Sequence, residues 1–177
     1  MSSSFEALGG DTVYSGKLVD VRIERFRHAD GAVVSREIVR HQGAVAILAH
    51  DDTHVWLVRQ PREAVGEPAL LEIPAGRLDV EGEQPLQAAQ RELAEEIGRG
   101  AQHWEPIVVY YTGAGFTDER VHLFCATELY PSHADSGEDE RIEIVPWPLA
   151  ELAQAIEQCS DAKTLIGLFW LARKLNV

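Results

Sequence analysis

At 177 residues, 45% hydrophobic and 25% charged, the chain has the composition of one soluble globular domain, with too little length for two independent cores. Its formal net charge of −13 argues against nucleic acid or an anionic membrane as partner, since both would repel it. A small anionic substrate stays open, because a bound cation and a few arginines reverse a local field. No apolar run is long enough to span a membrane. The opening MSSSFEALGGDT lacks the basic and apolar parts of a secretory signal. Cys125 and Cys159 stand far apart in no metal-binding spacing, so reduced thiols in a cytoplasmic protein are expected.

In chain order, residues 1–11 are rich in Ser and Gly and read as loose. Val13 and Tyr14 suggest a short strand, and residues 18–26 a longer one with Val19, Val21 and Ile23 on one face. Ala29-Asp30-Gly31 signals a turn, and residues 32–40 return as the second arm of a hairpin. Residues 44–50 and 55–60 read as two strands of a half-buried sheet, parted by Asp51-Asp52. Residues 70–76 form a strand running into glycine. From Gln84 to Ile97 the period turns helical, with Leu86, Ala89, Leu93 and Ile97 on one face, Pro85 in the first turn and Gly98 at the C-terminal cap. Strands are predicted over 107–111 and 121–126, an exposed acidic loop over 132–141 and a last strand over 142–147. Helices close the chain over 149–158 and 164–175, the second facing inward with Leu165, Leu168, Phe169, Ala172 and Leu175. Trp104, Trp147 and Trp170 are read as core or interface.

The helix over 84–97 has a second face. Glu92, Glu95 and Glu96 sit at i, i+3 and i+4, a spacing at which like charges destabilise a bare helix by a few tenths of a kcal/mol per pair. Arg91 can pair with Glu95 one turn on or with Glu83 near the start. The remaining carboxylates are hard oxygen donors of the kind Mg²⁺ takes, although a solvated acidic face gives the same pattern.

The segment Gly76-Arg-Leu-Asp-Val-Glu-Gly-Glu83, followed by Arg91-Glu92-Leu93-Ala94-Glu95-Glu96-Ile97-Gly98, resembles the Nudix box: Gly, five residues, Glu, seven residues, then Arg-Glu-U-x-Glu-Glu-x-Gly-U, with U bulky and apolar. Two departures are visible. Six residues separate Gly76 from Glu83, and Arg99 stands where the pattern has an apolar residue. Outside the box, Leu57-Val58-Arg59-Gln60-Pro61-Arg62 resembles the "vRQyR" strand end of ADP-ribose pyrophosphatases, with Pro61 for the aromatic. Residues 71–76 are similar to their "lEiPAG", and residues 112–119 to their "sPGfsdE", with Ala114 at the proline.

The resemblance implies an α/β (α+β) fold, a Nudix α/β/α sandwich with a mixed sheet and a small N-terminal β-hairpin subdomain. It implies an N-terminal strand extension and dimerisation element over 1–41 and a Nudix domain over 42–177. The implied reaction is hydrolysis of ADP-ribose to AMP and ribose 5-phosphate with Mg²⁺, for which Mn²⁺ substitutes. By the same resemblance Glu92, Glu96 and the carbonyl of Ala75 would bind metal. Glu119 would be a metal ligand or catalytic base, acting with Glu95 and Arg91. Arg62, Arg36 and Gly76 would lie at the substrate. Glu83 and Gly98 would be structural, Gly76 being needed for its backbone geometry. Phe26 is a candidate to stack on adenine, a core role being the alternative. A homodimer is expected, with a nucleoside diphosphate derivative as the small-molecule partner. Other substrates remain open: a nucleotide sugar such as GDP-mannose, an oxidised nucleoside diphosphate, or a dinucleoside polyphosphate. A non-catalytic ADP-ribose sensor is the reading from another class.

Overall fold

A computed structural model of the chain describes residues 4–132, 134 and 141–177. Of the acidic loop expected over 132–141, positions 133 and 135–140 lie outside them. The chain folds as two compact units, Met1–Gly43 with Tyr110–Arg120, and Ala44–Val109 with Val121–Val177.

The N-terminal unit is an antiparallel meander of β1 (Phe5–Ser15), β2 (Asp20–His28) and β3 (Val33–Arg40). The predicted turn is present. Gly31 N–H donates to His28 O, and Asp30 Oδ1 accepts from Ala32 N–H. Two expectations are corrected. The strand β1 starts at Phe5, so residues 5–11 are not loose; they pair with β2 through a register shift between Ala7 and Gly10. The apolar face of β2 is also not its inner one. Ile23 is exposed while Glu24 is buried, its carboxylate met by Arg22 at 3.0 Å and Arg40 at 2.8 Å. Buried charge with two cations beside it outranked apolar alternation here.

The second unit is a mixed sheet between helices. Its strands are β4 (Ala44–His50), β5 (His54–Arg62), β6 (Glu67–Glu72), β7 (Ala75–Arg77), β8 (Arg99–Tyr111), β9 (Arg120–Pro131) and β10 (Glu143–Pro148). Their order is β10-β5-β4-β9-β8, with β6 on β5 and β7 on β4; β4 and β9 run parallel. The helices are α1 (Pro85–Ile97), α2 (Leu152–Gln158) and α3 (Ala162–Leu175).

The centre of the sandwich is β4. Val45, Ile47 and Ala49 cluster with Ala88, Ala89, Leu93 and Ile97 of α1. Leu48, one residue out of step, lies with Ile73 against Gly167 of α3. Successive side chains of a strand face opposite ways, so a strand with a helix on each side is buried twice over. Residues 45–49 are all 0% exposed, which corrects the half-buried reading. Burying Leu93 alone contributes about 1.5–3 kcal/mol.

Helix α1 begins where the residues predict. Gln84 and Gln87 form a reciprocal capping box, and Pro85 opens the first turn. It ends at Gly98, left-handed at φ 64°, whose N–H reaches the carbonyls of Ala94 and Leu93. Leu86, expected inside, is 38% exposed in the first turn; Ala88 takes the inner place. In α3 the buried stripe is Thr164, Leu168 and Leu171, whereas Phe169 and Leu175 are exposed. Arg99, at the odd position of the box, lays its guanidinium over the Trp56 ring at 4.5 Å. A stacked guanidinium thus covers what an apolar side chain otherwise covers. Both cysteines are free, and burial pushes the Cys125 thiol up to about 11. No helix among the described residues is long and apolar enough to cross a membrane.

Candidate active site

Arg91 is the hub of the acidic face of α1. Its Nε and Nη2 donate to the two oxygens of Glu83, each at 3.1 Å. Its Nη1 donates to Glu92 at 2.7 Å and to Glu95 at 2.8 Å. Both pairings open in the sequence are made, with Glu92 added. Hydrogen bonds to Glu83, ahead of those to Glu92 and Glu95, outweigh burial and raise the Arg91 pKa further above its usual range. One cation in a fork geometry thus holds three carboxylates that would otherwise repel. The extra residue between Gly76 and Glu83 leaves this intact. It is taken up in a turn where Glu83 N–H reaches Val80 O and Gly82 sits at φ 80°.

Glu92 and Glu96, one turn apart, are both buried. Glu96 Oε2 accepts the Ala75 N–H at 3.1 Å. The Glu92 carboxylate lies against Gly76, where a Cβ would stand 1.8 Å from Glu92 Cδ. Gly76 is outside the positive-φ region, so the need is for space and not for an unusual dihedral, which corrects the expectation. The short strand β7 fixes this approach by pairing Gly76 with Val45 and Ala75 with Ala46 of the buried β4.

Arg62, at the end of β5, forms a side-on pair with Glu72, Nε to Oε1 at 2.6 Å and Nη2 to Oε2 at 2.8 Å. Glu72 has no exposure and also accepts from Lys163. Lys163 in turn meets Asp161, which caps α3 through the Thr164 N–H, and the Thr164 hydroxyl accepts from Ile73 N–H. Glu72, Lys163, Asp161 and Thr164 were not singled out in the sequence. Burial opposes ionisation of Glu72, but Arg62 and Lys163 outweigh it and hold its carboxyl below the usual carboxylate range.

A stability prediction follows from that pair. Arg62→Ala removes two hydrogen bonds from a buried carboxylate and lowers stability by about 1–3 kcal/mol, discounted because Lys163 remains and Arg62 is partly exposed. A group with a depressed folded pKa gives stability above its unfolded pKa and loses it as pH falls through the folded one. The gap between wild type and variant should therefore close below about pH 4.5, the ordinary value for Glu72. Denaturant titrations at several pH values check this; a gap constant down to pH 3 refutes it.

In the N-terminal unit, residues 112–119 form a loop bound to β3. Val39 N–H donates to Phe116 O, His41 N–H to Asp118 Oδ1, and Arg40 pairs with Asp118 at 2.9 Å. The loop closes on itself where Thr112 N–H meets Glu119 O at 3.2 Å and the Thr112 hydroxyl meets Glu119 Oε2 at 2.7 Å. Between this loop and the sheet of the same unit lies a cavity of about 300 Å³, lined by Phe5, Phe26, Ile38, Arg36, Arg40 and Phe116 among others. Phe26 is packed edge-on by Phe5 at 5.4 Å, and Arg36 donates to Ser35 O.

The NUDIX domain family model matches residues 39–166, well over half the chain. The chain belongs to the Nudix family. It is similar to the ADP-ribose pyrophosphatase of Bacillus subtilis (strain 168), 37% identical over 174 residues, covering 96% of this chain and 93% of that protein. It is similar to the ADP-ribose pyrophosphatase of Mycobacterium tuberculosis (strain ATCC 25618 / H37Rv), 38% identical over 155 residues, covering 86% and 74%. Among solved structures, an ADP compounds hydrolase superposes with a TM-score of 0.86 at 26% identity, over 98% of this chain and 95% of that one.

The fold is thus that of a Nudix hydrolase, and the residues at α1 suit a divalent cation. Glu92 and Glu96 are buried carboxylates, the missing Cβ of Gly76 makes a cradle for one of them, and all the donors are hard oxygens. Among the described residues no three His, Cys, Asp or Glu side chains are gathered as around an ion. The charge of Glu92 and Glu95 is met by Arg91 instead. The Nudix box elements Glu83, Arg91, Glu92 and Glu95 are brought together as one cluster; Glu96 joins them through Ala75.

Proposed function

We propose that this Nudix hydrolase cleaves the pyrophosphate of ADP-ribose, giving AMP and ribose 5-phosphate, with Mg²⁺ as cofactor and Mn²⁺ as substitute. The observation that carries the reading is the pair of buried carboxylates, Glu92 and Glu96, folded onto Gly76 and Ala75. The pyrophosphatase names of the relatives support the substrate. Glu92, Glu96 and the Ala75 carbonyl would hold the ion. Bound there, Mg²⁺ supplies charge to the phosphoryl oxygens and acidifies the attacking water. Glu119 accepts the proton of that water, Glu95 orients it, and Arg91 keeps the carboxylates of α1 in place. Arg62, aligned by Glu72, contacts the substrate phosphate or terminal ribose through the edge of its guanidinium that Glu72 does not occupy. Gly76 leaves the room that the Glu92 carboxylate takes, and Glu83 and Gly98 hold loop and helix. In the N-terminal unit, Phe26 and Arg36 line the cavity offered to the adenine.

A panel of ADP-ribose, GDP-mannose, an oxidised nucleoside diphosphate and a dinucleoside polyphosphate, with product analysis, tests the substrate. The highest kcat/KM is expected on ADP-ribose. Preference for another member moves the assignment within the Nudix hydrolases, and tight ADP-ribose binding without turnover makes the protein a sensor. We also assign a cytoplasmic setting, to suit the free cysteines, and a homodimer. Tyr14, Ile23 and Val33 share one face of the β1–β3 sheet and are exposed, and a second copy is proposed to cover them. Light scattering that gives a monomer at micromolar concentration overturns the dimer.

A further inference from the structure

We propose that Thr112 is a positioning residue for the reaction, its hydroxyl selecting the orientation of the Glu119 carboxylate. This rests on the assignment of Glu119 as the base. The loop over 112–119 contains Gly113 and Gly115, so its backbone confines Glu119 less than a strand or helix does. What closes it is at its neck: Thr112 N–H to Glu119 O at 3.2 Å, and the Thr112 hydroxyl to Glu119 Oε2 at 2.7 Å. Glu119 N–H is taken by the Thr117 hydroxyl at 3.1 Å, which sets the backbone but not the carboxylate. Among the described residues His41 also comes near the carboxylate, its Nδ1 3.5 Å from Oε1. That nitrogen accepts the Gly43 N–H at 3.0 Å, and 3.5 Å is long for a hydrogen bond. Thr112 therefore supplies the short hydrogen bond to this side chain. It occupies one oxygen and leaves Oε1 as the one to receive a proton.

A bond that orients the base acts on the chemical step more than on binding. Thr112→Val keeps the branched shape and deletes the donor, so kcat should fall about five- to tenfold with KM within about twofold. Thr112→Ser, which keeps the hydroxyl, should recover most of kcat. In metal-free protein, amide hydrogen exchange over 112–119 should be faster for Thr112→Val than for Thr112→Ser. In a Glu119→Ala background, Thr112→Val should cost nothing further.

A Thr112→Val enzyme with wild-type kcat overturns the inference, as does an equal loss in Thr112→Ser, a loss expressed in KM, unchanged exchange, or full additivity with Glu119→Ala. If Glu119→Ala itself retains activity, the assignment of Glu119 fails first, and that result is distinct from any of these.

Discussion

Glu96→Gln lowers kcat on ADP-ribose roughly a thousandfold, about 4 kcal/mol of lost transition-state stabilisation, while the fold survives. The substitution keeps the side-chain volume at a buried position and keeps an acceptor for the Ala75 N–H, so packing of α1 on β7 is preserved. What it removes is a negative charge in a site whose other carboxylates are already engaged by Arg91. Under the proposed assignment a divalent ion would lose one of its carboxylate ligands. Steady-state rates with and without chelator, alongside thermal unfolding, separate the two effects. The variant should unfold within a few degrees of wild type, and chelator should abolish wild-type turnover. A fully active variant, or activity that resists chelator, removes Glu96 and the metal from the mechanism.

Gly76→Ala is expected to cost at least a hundredfold in kcat for a purely steric reason. A Cβ would stand 1.8 Å from Glu92 Cδ, 2.0 Å from Oε1 and 2.3 Å from Oε2, well inside van der Waals contact. The strand cannot yield easily, since Gly76 is paired with Val45, a residue of no exposure. The carboxylate must therefore leave, and with it the ligand geometry and part of the hold of Arg91. Gly82→Ala is the control. It meets open space but has φ 80°, so it should cost about 1 kcal/mol of stability and leave kcat near wild type. If Gly76→Ala keeps a kcat near wild type, as Gly82→Ala should, room for Glu92 does not explain Gly76.

The contrast between these glycines marks how far the residues could be read. Gly98 was legible as a helix cap because it follows a stretch of clear helical period. The cluster around Arg91 was legible for the same reason, as its members lie within one helix and the turn before it. Gly76 was recognisable by pattern, yet its reason was hidden, because the clash is with a residue sixteen positions on, across a packed interface. The partner of Arg62 was hidden more deeply. Glu72 sits inside an apolar strand lead-in, and the lysine that shares it lies 91 residues away with no local signal.

Strands were misread wherever polarity disguised them. The polar opening of β8 after Gly98 shows no alternation, so the strand predicted from 107 in fact starts at Arg99, and Gly10 in β1 is paired with Glu24 although its Gly-Gly step passes for slack chain. Glu24 defeated the alternation rule because its inward place depends on Arg22 and Arg40, one on its own strand and one on the next.

The loop that carries Glu119 has a consequence for the order in which the protein can assemble. Its bonds to β3 join residues 78 apart in the chain, Arg40 to Asp118, with most of the sandwich between them. During synthesis β1, β2 and β3 emerge first, yet their unit stays unfinished until β4 to β8 and α1 have been made. Local pairings in the meander and in α1 close short loops at low entropic cost, whereas the bonds of the loop to β3 close a stretch of 78 residues and carry a larger one. The box can be complete while its proposed base is still unplaced. With Glu119 proposed as the base, chains that have formed the box but not the loop are expected to be inactive.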